Sequence, residues 1–432
     1  MQRSCSISSE KLNMIALIFL SAIMWIIFAE SSILTHILLV WILALYSIYI
    51  VKMDIFHPYC WFSFFFCLYA TSYAGLYLMG ETSNIYGYNA EPLFYHWIAL
   101  AVVLLVIPIK KANMASEYTR NSLGDIGVIC LIQKIIITTL MFSVIFFLNS
   151  GYSNKGDIYQ ESNMIFKFIF SIAYLAIIMF AFILDSSLSN KKSDNRLLLI
   201  LSFVTVVLFG FSLGERDYAF RIILIAVLTL FVHKKIQRKL ILILVPLFML
   251  MLPLSHMFKY TMLTGEISAD LEWEQFFVWL LEGEFISAGR NLQILVQNNM
   301  CNYFGGHSLL NDFIRIFYDT GFSNQLWFDI RFFDYGHKTQ YGFTLVGEGY
   351  VNGGVVGIAL IYLAVAFLMR HLYLNSFKNN FAMIAYLYML PLFIYTTRAD
   401  ISNLFSPLIK HVFLSIVLIK ILSRVKIRVR GN

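Results

Sequence analysis

Residues 216–239 read RDYAFRIILIAVLTLFVHKKIQRK, and this stretch shows the pattern that decides the fold. A charged entrance gives way to an apolar run, and the run ends in a cluster of lysines and arginines. Runs of about 20 mostly apolar residues are what the ~30 Å hydrocarbon core of a bilayer requires. The same pattern recurs along the chain, so the sequence predicts an all-α, polytopic integral membrane protein.

The composition supports this class of protein. Of the 432 residues 59% are hydrophobic and 13% are charged, whereas a soluble domain carries about 25% charged residues. We predict twelve transmembrane helices, at residues 12–29, 31–51, 59–79, 92–109, 126–148, 163–184, 196–213, 216–232, 239–257, 345–369, 379–397 and 401–422.

The basic residues indicate which side of the membrane each junction occupies. Twenty of the 32 lysines and arginines fall at alternate junctions and at the two termini. Cytoplasmic loops carry such an excess, so we predict that both termini are cytoplasmic. The net charge of +7 is then explained by membrane anchoring, and it does not indicate a nucleic-acid partner.

The chain divides into three predicted regions. Residues 1–257 carry spans one to nine, 258–343 form a long outer loop, and 344–432 carry spans ten to twelve and a basic cytoplasmic tail. The loop holds ten acidic and five basic residues together with many aromatic ones. Within it, Glu272–Val296 is predicted as an amphipathic helix at the membrane interface. Loops of this length between spans are usually functional.

Two arginines stand at the outer entrance of span eight. Arg216 opens the helix and Arg221 lies five residues further on, about 7–8 Å deeper at 1.5 Å per residue. A helix N-terminus already has free amides and a positive dipole end, so two guanidinium groups there predict an anionic ligand. The planar arginine fork suits phosphate better than an ammonium group does. The alternative for Arg221 is pairing with Asp217, four residues earlier.

Two further arginines lie on the predicted outer side. Arg398 ends span eleven, and its alternative is a salt bridge with Asp400. Arg290 follows the loop stretch 282–289, and its alternative is an ordinary solvated helix charge. Together with Arg216 and Arg221 they form a candidate anion-binding set.

Glu348 is a lone carboxylate at the predicted outer start of span ten. Glycines surround it, which suggests a backbone crowded near a ligand. Gly353 and Gly357 form a small-xxx-small face suited to close helix packing. The alternative role for Glu348 is that of a partner for the helix dipole. The loop histidines His307 and His337 are weaker candidates, each more often a plain surface residue. No nucleotide-binding or metal-binding motif occurs, so we expect neither a metal nor another cofactor.

These residues resemble a known family. The layout of spans, late outer loop and outer arginines is similar to that of the O-antigen polymerase family, Wzy. The Gly214-Glu215-Arg216 entrance resembles the arginine position of the family. The segment from Glu348 through Tyr350, Asn352 and Gly354 to Gly357 is similar to its Glu-x-Tyr-x-Asn-x-Gly-x-x-Gly pattern, which adds Tyr350 and Asn352 as possible site residues.

The resemblance implies a GT-C-type membrane glycosyltransferase of the bacterial inner membrane, with its active site on the periplasmic face. It would polymerise repeat units linked to undecaprenyl pyrophosphate, without a metal. The four arginines would bind the departing pyrophosphate and Glu348 would act on the acceptor hydroxyl. The implied partners are the lipid-linked donor and acceptor glycans, membrane lipid and a chain-length regulator of the Wzz type. Two alternatives stay open, an O-antigen ligase and a lipid-linked oligosaccharide flippase.

Overall fold

A computed structural model describes residues 9–81, 88–109, 126–150, 164–189, 195–213, 216–241, 243, 249, 278–318, 320–333 and 342–421. Within these ranges the regular secondary structure is helical throughout. Eight of the described helices are long and apolar enough to cross a membrane, and shorter apolar helices accompany them. The prediction of an all-α, polytopic membrane protein is therefore confirmed.

The helices group into two compact units. The first unit comprises Met1–Ala112, Val245–Tyr373 and Leu392–Leu404. Its helices are α1 (Ser9–Ile27), α2 (Ile33–Ile50), α3 (Pro58–Met79), α4 (Glu91–Val106), α9 (Ile286–Gln297), α10 (His307–Arg315), α11 (Asn324–Phe332) and most of α12 (Leu345–Ser376). A π-helical turn, Leu281–Phe285, leads into α9. The described part of the predicted loop thus belongs to this unit.

The second unit comprises Asn113–Leu244, Leu374–Pro391 and Phe405–Asn432. It contains α5 (Ile126–Ser150), α6 (Met164–Ser189), α7 (Arg196–Ser212), α8 (Arg216–Val232) and most of α13 (Asn380–Tyr395). A 3-10 turn of the first unit, Thr396–Arg398, follows α13. The last helix starts with α14 (Ser402–Pro407), which passes from the first unit into the second after Leu404, and continues through a π-helical stretch, Leu408–Phe413. Most of these helices begin and end within a few residues of the predicted spans. The ninth span, 239–257, lies mostly outside the described residues.

The ends of α3 show why the helices stop where they do. His57 caps its N-terminus by accepting a hydrogen bond from the Tyr59 amide, and Pro58 occupies the first turn, where its missing N–H costs nothing. Gly80 ends the helix with a φ of 77°, a left-handed conformation that suits glycine. Between these ends α3 packs against α2 and α9, which places it in the core of the first unit.

Helix α9 differs from the predicted interfacial helix. Eight of its residues are buried, and they cover more than one face. Gly289 lies against Ala70 and Tyr73 of α3. Asn291 finds a partner inside the protein and donates to the Gly342 carbonyl oxygen at 2.7 Å. Because its buried residues cover more than one face, the helix is an inner part of the first unit. Residues 272–277 of the predicted helix lie outside the described residues.

The predicted span ten is not one straight helix. Gly353 (φ −176°, ψ 20°) and Gly354 (φ 56°, ψ −140°) break α12 into residues 345–352 and 355–376. A Cβ atom on Gly349 would lie 2.6 Å from the Ile358 Cα atom, although residues nine apart on a straight helix are about 13 Å apart. The chain therefore folds back on itself, and residues 355–376 alone are long enough to cross a ~30 Å hydrocarbon core.

The glycines of this segment serve the fold-back. A Cβ atom on Gly357 would collide with the carbonyl oxygen of Gly349. We predicted that Gly353 and Gly357 form a face for close packing against another helix. Gly357 does allow a close approach, but the backbone that approaches it is that of Gly349 in the same element. Gly353 lies in the turn, with no atom near the position of a Cβ. The backbone crowding near Glu348 therefore comes from contacts within the protein, and it does not indicate a ligand.

Alanine substitutions test this fold-back. Gly357→Ala and Gly354→Ala should each lower the free energy of unfolding by about 1–3 kcal/mol, through overlap with Gly349 and through backbone strain respectively. Gly353→Ala is the matched control, with an expected change within about 0.5 kcal/mol. Thermal unfolding of the purified protein in detergent measures all three, and equal midpoints would contradict the break.

Candidate active site

Glu348 is completely buried in the first unit. It lies on residues 345–352 of α12, and its Oε2 atom accepts a hydrogen bond from the Ile401 amide at 2.7 Å. Its own backbone amide donates to the Thr344 carbonyl oxygen. The carboxylate therefore binds a chain segment that follows α13, which differs from the predicted alternative of a partner for its own helix dipole.

Glu348 is accompanied by other charged residues. Arg315 of α10 uses a single nitrogen, Nη1, to reach Asp312 Oδ1 at 2.7 Å and Asp400 Oδ2 at 3.0 Å. Asn324 of α11 donates to the other oxygen of Asp312 at 2.8 Å. We call Asp312, Glu348, Asp400 and Arg315 the acidic cluster. It holds three buried carboxyl groups against one guanidinium group.

This imbalance favours a retained proton. The carboxyl groups of Asp312 and Glu348 lie close enough to interact, and two carboxyl groups can share a hydrogen bond only when one of them carries a proton. Burial raises the pKa of Asp312 to about 6, and the negative charge of Asp400 acts in the same direction. The hydrogen bonds from Glu348 and Arg315 oppose this rise in the pKa. The Asp312 carboxyl group therefore loses its proton at a higher pH than an ordinary aspartate does.

The raised pKa of Asp312 predicts a pH dependence of stability. A carboxyl group whose pKa is higher in the folded than in the unfolded protein stabilises the fold below its unfolded pKa. This stabilisation, on the order of 3 kcal/mol for a pKa of about 6 against an ordinary value of 3.8, is lost as the pH rises from about 4 to about 6. Asp312→Asn should remove this dependence. Unfolding midpoints across that pH range measure it, and an unchanged pH profile in the variant would contradict the assignment.

Asp400 organises the segment that Glu348 binds. Its Oδ1 atom accepts hydrogen bonds from the Ser402 hydroxyl at 2.7 Å and from the Asn403 amide at 3.3 Å, as an N-cap of α14 does. Asp400 pairs with Arg315 at 3.0 Å, whereas the sequence offered Arg398 as its alternative partner. The guanidinium group of Arg398 lies over the ring of Tyr395, 5.1 Å from its centre.

The segments that carry Arg290 and Arg398 meet at Gly342. The Gly342 carbonyl oxygen accepts a hydrogen bond from Asn291, the residue after Arg290. A Cβ atom on Gly342 would lie 2.6 Å from the carbonyl oxygen of Arg398. Arg290 itself makes long contacts with Asn291 Oδ1, at 3.3 and 3.4 Å, and covers the ring of Phe333 at 5.1 Å. The structure thus brings the two backbones together.

Arg221 lies in the second unit and is paired. Its Nε atom donates to both carboxylate oxygens of Asp217 at 2.8 Å, and its Nη2 atom lies 2.7 Å from Asp217 Oδ2. The rings of Tyr174 and Tyr388 lie 5.0 and 5.9 Å from its guanidinium carbon. Among the described residues no acceptor reaches its buried Nη1 atom. The predicted alternative, pairing within the helix, is therefore what the structure shows.

The remaining candidate residues lie outside the acidic cluster. Arg216 is the first residue of α8, but its side chain and all of His337 lie outside the described residues. His307 is exposed at the start of α10. Tyr350 packs against the ring of Tyr95 at 5.3 Å. Asn352 donates to the Glu348 carbonyl oxygen and to Ser308, so it fastens α10 to the end of residues 345–352.

Three site residues, Asp312, Arg315 and Asn324, were not predicted from the sequence. A signal for the first two was present, because Ser308, Asp312 and Arg315 recur at helical spacing on one face of α10. Residues three apart on a loop helix are more often a solvated pair, and the spacing alone does not distinguish the two cases. Within the described residues no group of three or more metal-ligating side chains is placed to hold a metal ion.

Comparison with known proteins places the acidic cluster in a recognised region. Residues 283–428 match the family model described as O-antigen polysaccharide polymerase Wzy. This match covers about a third of the chain, supports membership of that family and confirms the resemblance noted in the sequence. The matched region contains all four members of the acidic cluster, together with Arg290 and Arg398. No curated protein and no solved structure matches the chain.

Proposed function

We propose that this member of the Wzy family extends O-antigen polysaccharide by transferring a growing glycan from undecaprenyl pyrophosphate to a repeat unit on the same lipid. The family match supports an O-antigen polymerase role in general. The lipid-linked substrates, the catalytic residues and the side of the membrane are our own inference. The observation that carries it is the pairing of Glu348 with Asp312 in the matched region, because transfer to a hydroxyl group needs a proton acceptor.

The proposed step exchanges one bond to the anomeric carbon of the donor for another. The acceptor hydroxyl oxygen forms a bond with the anomeric carbon of the donor, and the bond from that carbon to the pyrophosphate oxygen breaks. The hydroxyl proton passes to the carboxyl pair of Glu348 and Asp312, and undecaprenyl pyrophosphate leaves with the bonding electrons. Such general-base assistance contributes about 10²–10⁴-fold to a rate. No metal takes part in this scheme.

Access to Glu348 requires a movement. Its side chain has no exposed surface, and α10 is fastened to residues 345–352 through Ser308 and Asn352. Asp312 and Arg315 also lie on α10. We therefore propose that the acceptor reaches the carboxyl pair when α10 shifts away from α12, and that the structure describes the closed arrangement.

The leaving group requires fixed positive charge, which stabilises developing charge by preorganised electrostatics. Arg290 and Arg398 are our candidates in the first unit, where their backbones meet at Gly342. Arg216 remains a candidate by its position at the start of α8. Arg221 contributes less than the sequence predicted, since Asp217 offsets its charge. We keep it in the set because no acceptor among the described residues reaches its Nη1 atom.

We further propose the setting of this reaction. The distribution of basic residues supports cytoplasmic termini and a site on the periplasmic face of the inner membrane. The resemblance to the Wzy family implies a chain-length regulator of the Wzz type as a possible partner. Tyr350, Asn352 and His307 support the architecture of the site in this scheme, and His337 stays a sequence-based candidate.

The glycans of a cell that lacks its own polymerase test this function. Expression of the chain should convert lipid A carrying single repeat units into a ladder of long glycans. A ligase would instead restore attachment of glycans in a ligase-deficient cell, and a flippase would restore export in a flippase-deficient cell. Failure to produce a ladder, combined with restoration in either of the other two strains, would overturn the proposal.

Arg216→Lys tests pyrophosphate recognition in the same cells. The lysine keeps the charge but loses the planar fork, so we expect a large loss of long glycans at an unchanged protein level in the membrane. Arg238→Lys, on the predicted cytoplasmic side, is the matched control and should leave the ladder intact. A normal ladder from Arg216→Lys would exclude bidentate phosphate binding at that position.

A further inference from the structure

Helix α10 has its polar side turned inward and its apolar side turned outward. Ser308, Asp312 and Arg315 recur at helical spacing and point into the first unit, where they bind Asn352 and Asp400. A second stripe at the same spacing, continued into the turn that follows the helix, is exposed. It consists of Leu310, Phe313, Ile314 and Phe317, with Tyr318 beside it. We call these five residues the apolar stripe.

The exposure of the apolar stripe is large. Phe317 is 79% exposed, Tyr318 72% and Leu310 61%. An amphipathic helix on a water-facing surface turns its apolar residues towards the core and its charges outward. In α10 this arrangement is reversed, because the polar residues face the core and the apolar residues face outward. The polar residues on the buried face make hydrogen bonds and ion pairs within the protein. A contiguous exposed apolar patch of this kind marks a surface that contacts something other than water.

The segment that leads into the apolar stripe is joined to the start of the membrane-spanning part of α12. The segment before α10 is bound to the end of residues 345–352, since the Asn302 amide donates to the Tyr350 carbonyl oxygen at 2.9 Å and the Phe304 amide to that of Val351 at 2.8 Å. The membrane-spanning part of α12 begins a few residues later. Its exposed side chains there are also apolar: Val355, Val356 and Leu360.

Neighbouring side chains mark the boundary of the membrane. The rings of Tyr303 and Trp327 stack at 5.6 Å, and the guanidinium carbon of Arg331 lies 5.4 Å from the Tyr303 ring centre. Tryptophan, tyrosine and arginine are the residues that collect where hydrocarbon meets the headgroups. This group lies on α11 and on the segment before α10, so both loop helices lie near that boundary.

We infer that α10 is embedded in the bilayer, with its apolar stripe in lipid hydrocarbon and its polar stripe in the protein. The loop between spans nine and ten then does not lie wholly in water. The acidic cluster lies behind α10, at the depth of the hydrocarbon boundary. This inference rests on the membrane fold and does not depend on the proposed polymerase activity.

Spin labels test this placement in the intact protein. Single cysteines replace Phe317 or Leu310 in a chain whose five native cysteines are changed to alanine, and each is labelled with a nitroxide in vesicles of phosphatidylcholine and phosphatidylglycerol. Collision rates with oxygen, which dissolves in hydrocarbon, and with a nickel complex, which stays in water, report depth. Leu360→Cys is the lipid reference and Glu282→Cys, an exposed charged position of the loop, is the water reference.

The ratio of oxygen to nickel collisions at Phe317 and Leu310 should match that at Leu360 and exceed that at Glu282 several-fold. A ratio equal to that at Glu282 would place the apolar stripe in water and overturn the inference. Low collision rates with both reagents, together with dipolar coupling between labels on two copies, would show that a second copy covers the stripe and would also overturn it. All labelled positions are exposed, so labelling itself does not disturb the buried contacts of the fold.

Discussion

Replacing Glu348 with glutamine is expected to lower polymerisation by about 10²–10⁴-fold while the fold is retained, because one acid–base group is lost. The glutamine carbonyl oxygen can still accept the hydrogen bond from the Ile401 amide, and its NH₂ group can donate to Asp312. The variant therefore keeps both hydrogen bonds, but position 348 can no longer take up or release a proton. Glycan length in cells with matched protein levels, and the thermal midpoint of the purified protein, measure the two effects separately.

Glu91 provides the matched control for this substitution. It is also a first-turn glutamate, of α4, but it is exposed and binds Asn89 and Tyr95. Glu91→Gln should leave the glycan ladder unchanged. A full ladder from Glu348→Gln would show that this residue only holds Ile401 in place, and the proton acceptor would then have to be sought elsewhere.

Arg315→Ala should lower the free energy of unfolding by about 3 kcal/mol, at the low end of the range for breaking a buried ion pair because the arginine is partly exposed. The substitution leaves Asp312, Asp400 and Glu348 without a cation. The loss should shrink as the pH falls below 6, since protonation removes the repulsion. Unfolding midpoints at several pH values measure both effects.

Two variants complete this test. Arg331 also stands in the last turn of a loop helix, but its side chain is exposed, so Arg331→Ala should cost less than about 1 kcal/mol. Arg315→Lys should keep most of the stability, because one nitrogen makes both ion pairs and an ammonium group can do the same. A cost for Arg315→Ala equal to that for Arg331→Ala would contradict the cluster.

The fold class could be predicted because long hydrophobic runs and clusters of basic residues at their ends are visible in the sequence. The hydrocarbon core selects such runs as helices, and the basic clusters determine their orientation. The break in α12 could not. Hydropathy treats Gly353 and Gly354 as ordinary members of an apolar window, and only their backbone angles show that the chain turns. The burial of α9 was missed for a related reason, since its Asn291 looks solvated until its partner Gly342 is known.

The candidate site was predictable in part. Glu348 stood out as a charge in an apolar setting, yet its partners Asp312 and Asp400 are distant in sequence and belong to separate elements. Arg221 illustrates the opposite case, because the local pairing with Asp217 was visible from the spacing and is what the structure shows. Contacts between residues three or four apart follow from helix geometry. Contacts between distant residues depend on how the helices pack, which a short sequence motif does not show.

A reaction with purified components tests the polymerase assignment most directly. The protein is placed in vesicles with single repeat units on undecaprenyl pyrophosphate as the sole glycan and with no other enzyme. We predict glycans of two, three and more units on the lipid, with one undecaprenyl pyrophosphate released for each bond formed. If the protein is folded and the lipid-linked units remain single, without release of undecaprenyl pyrophosphate, the chain is not the polymerase.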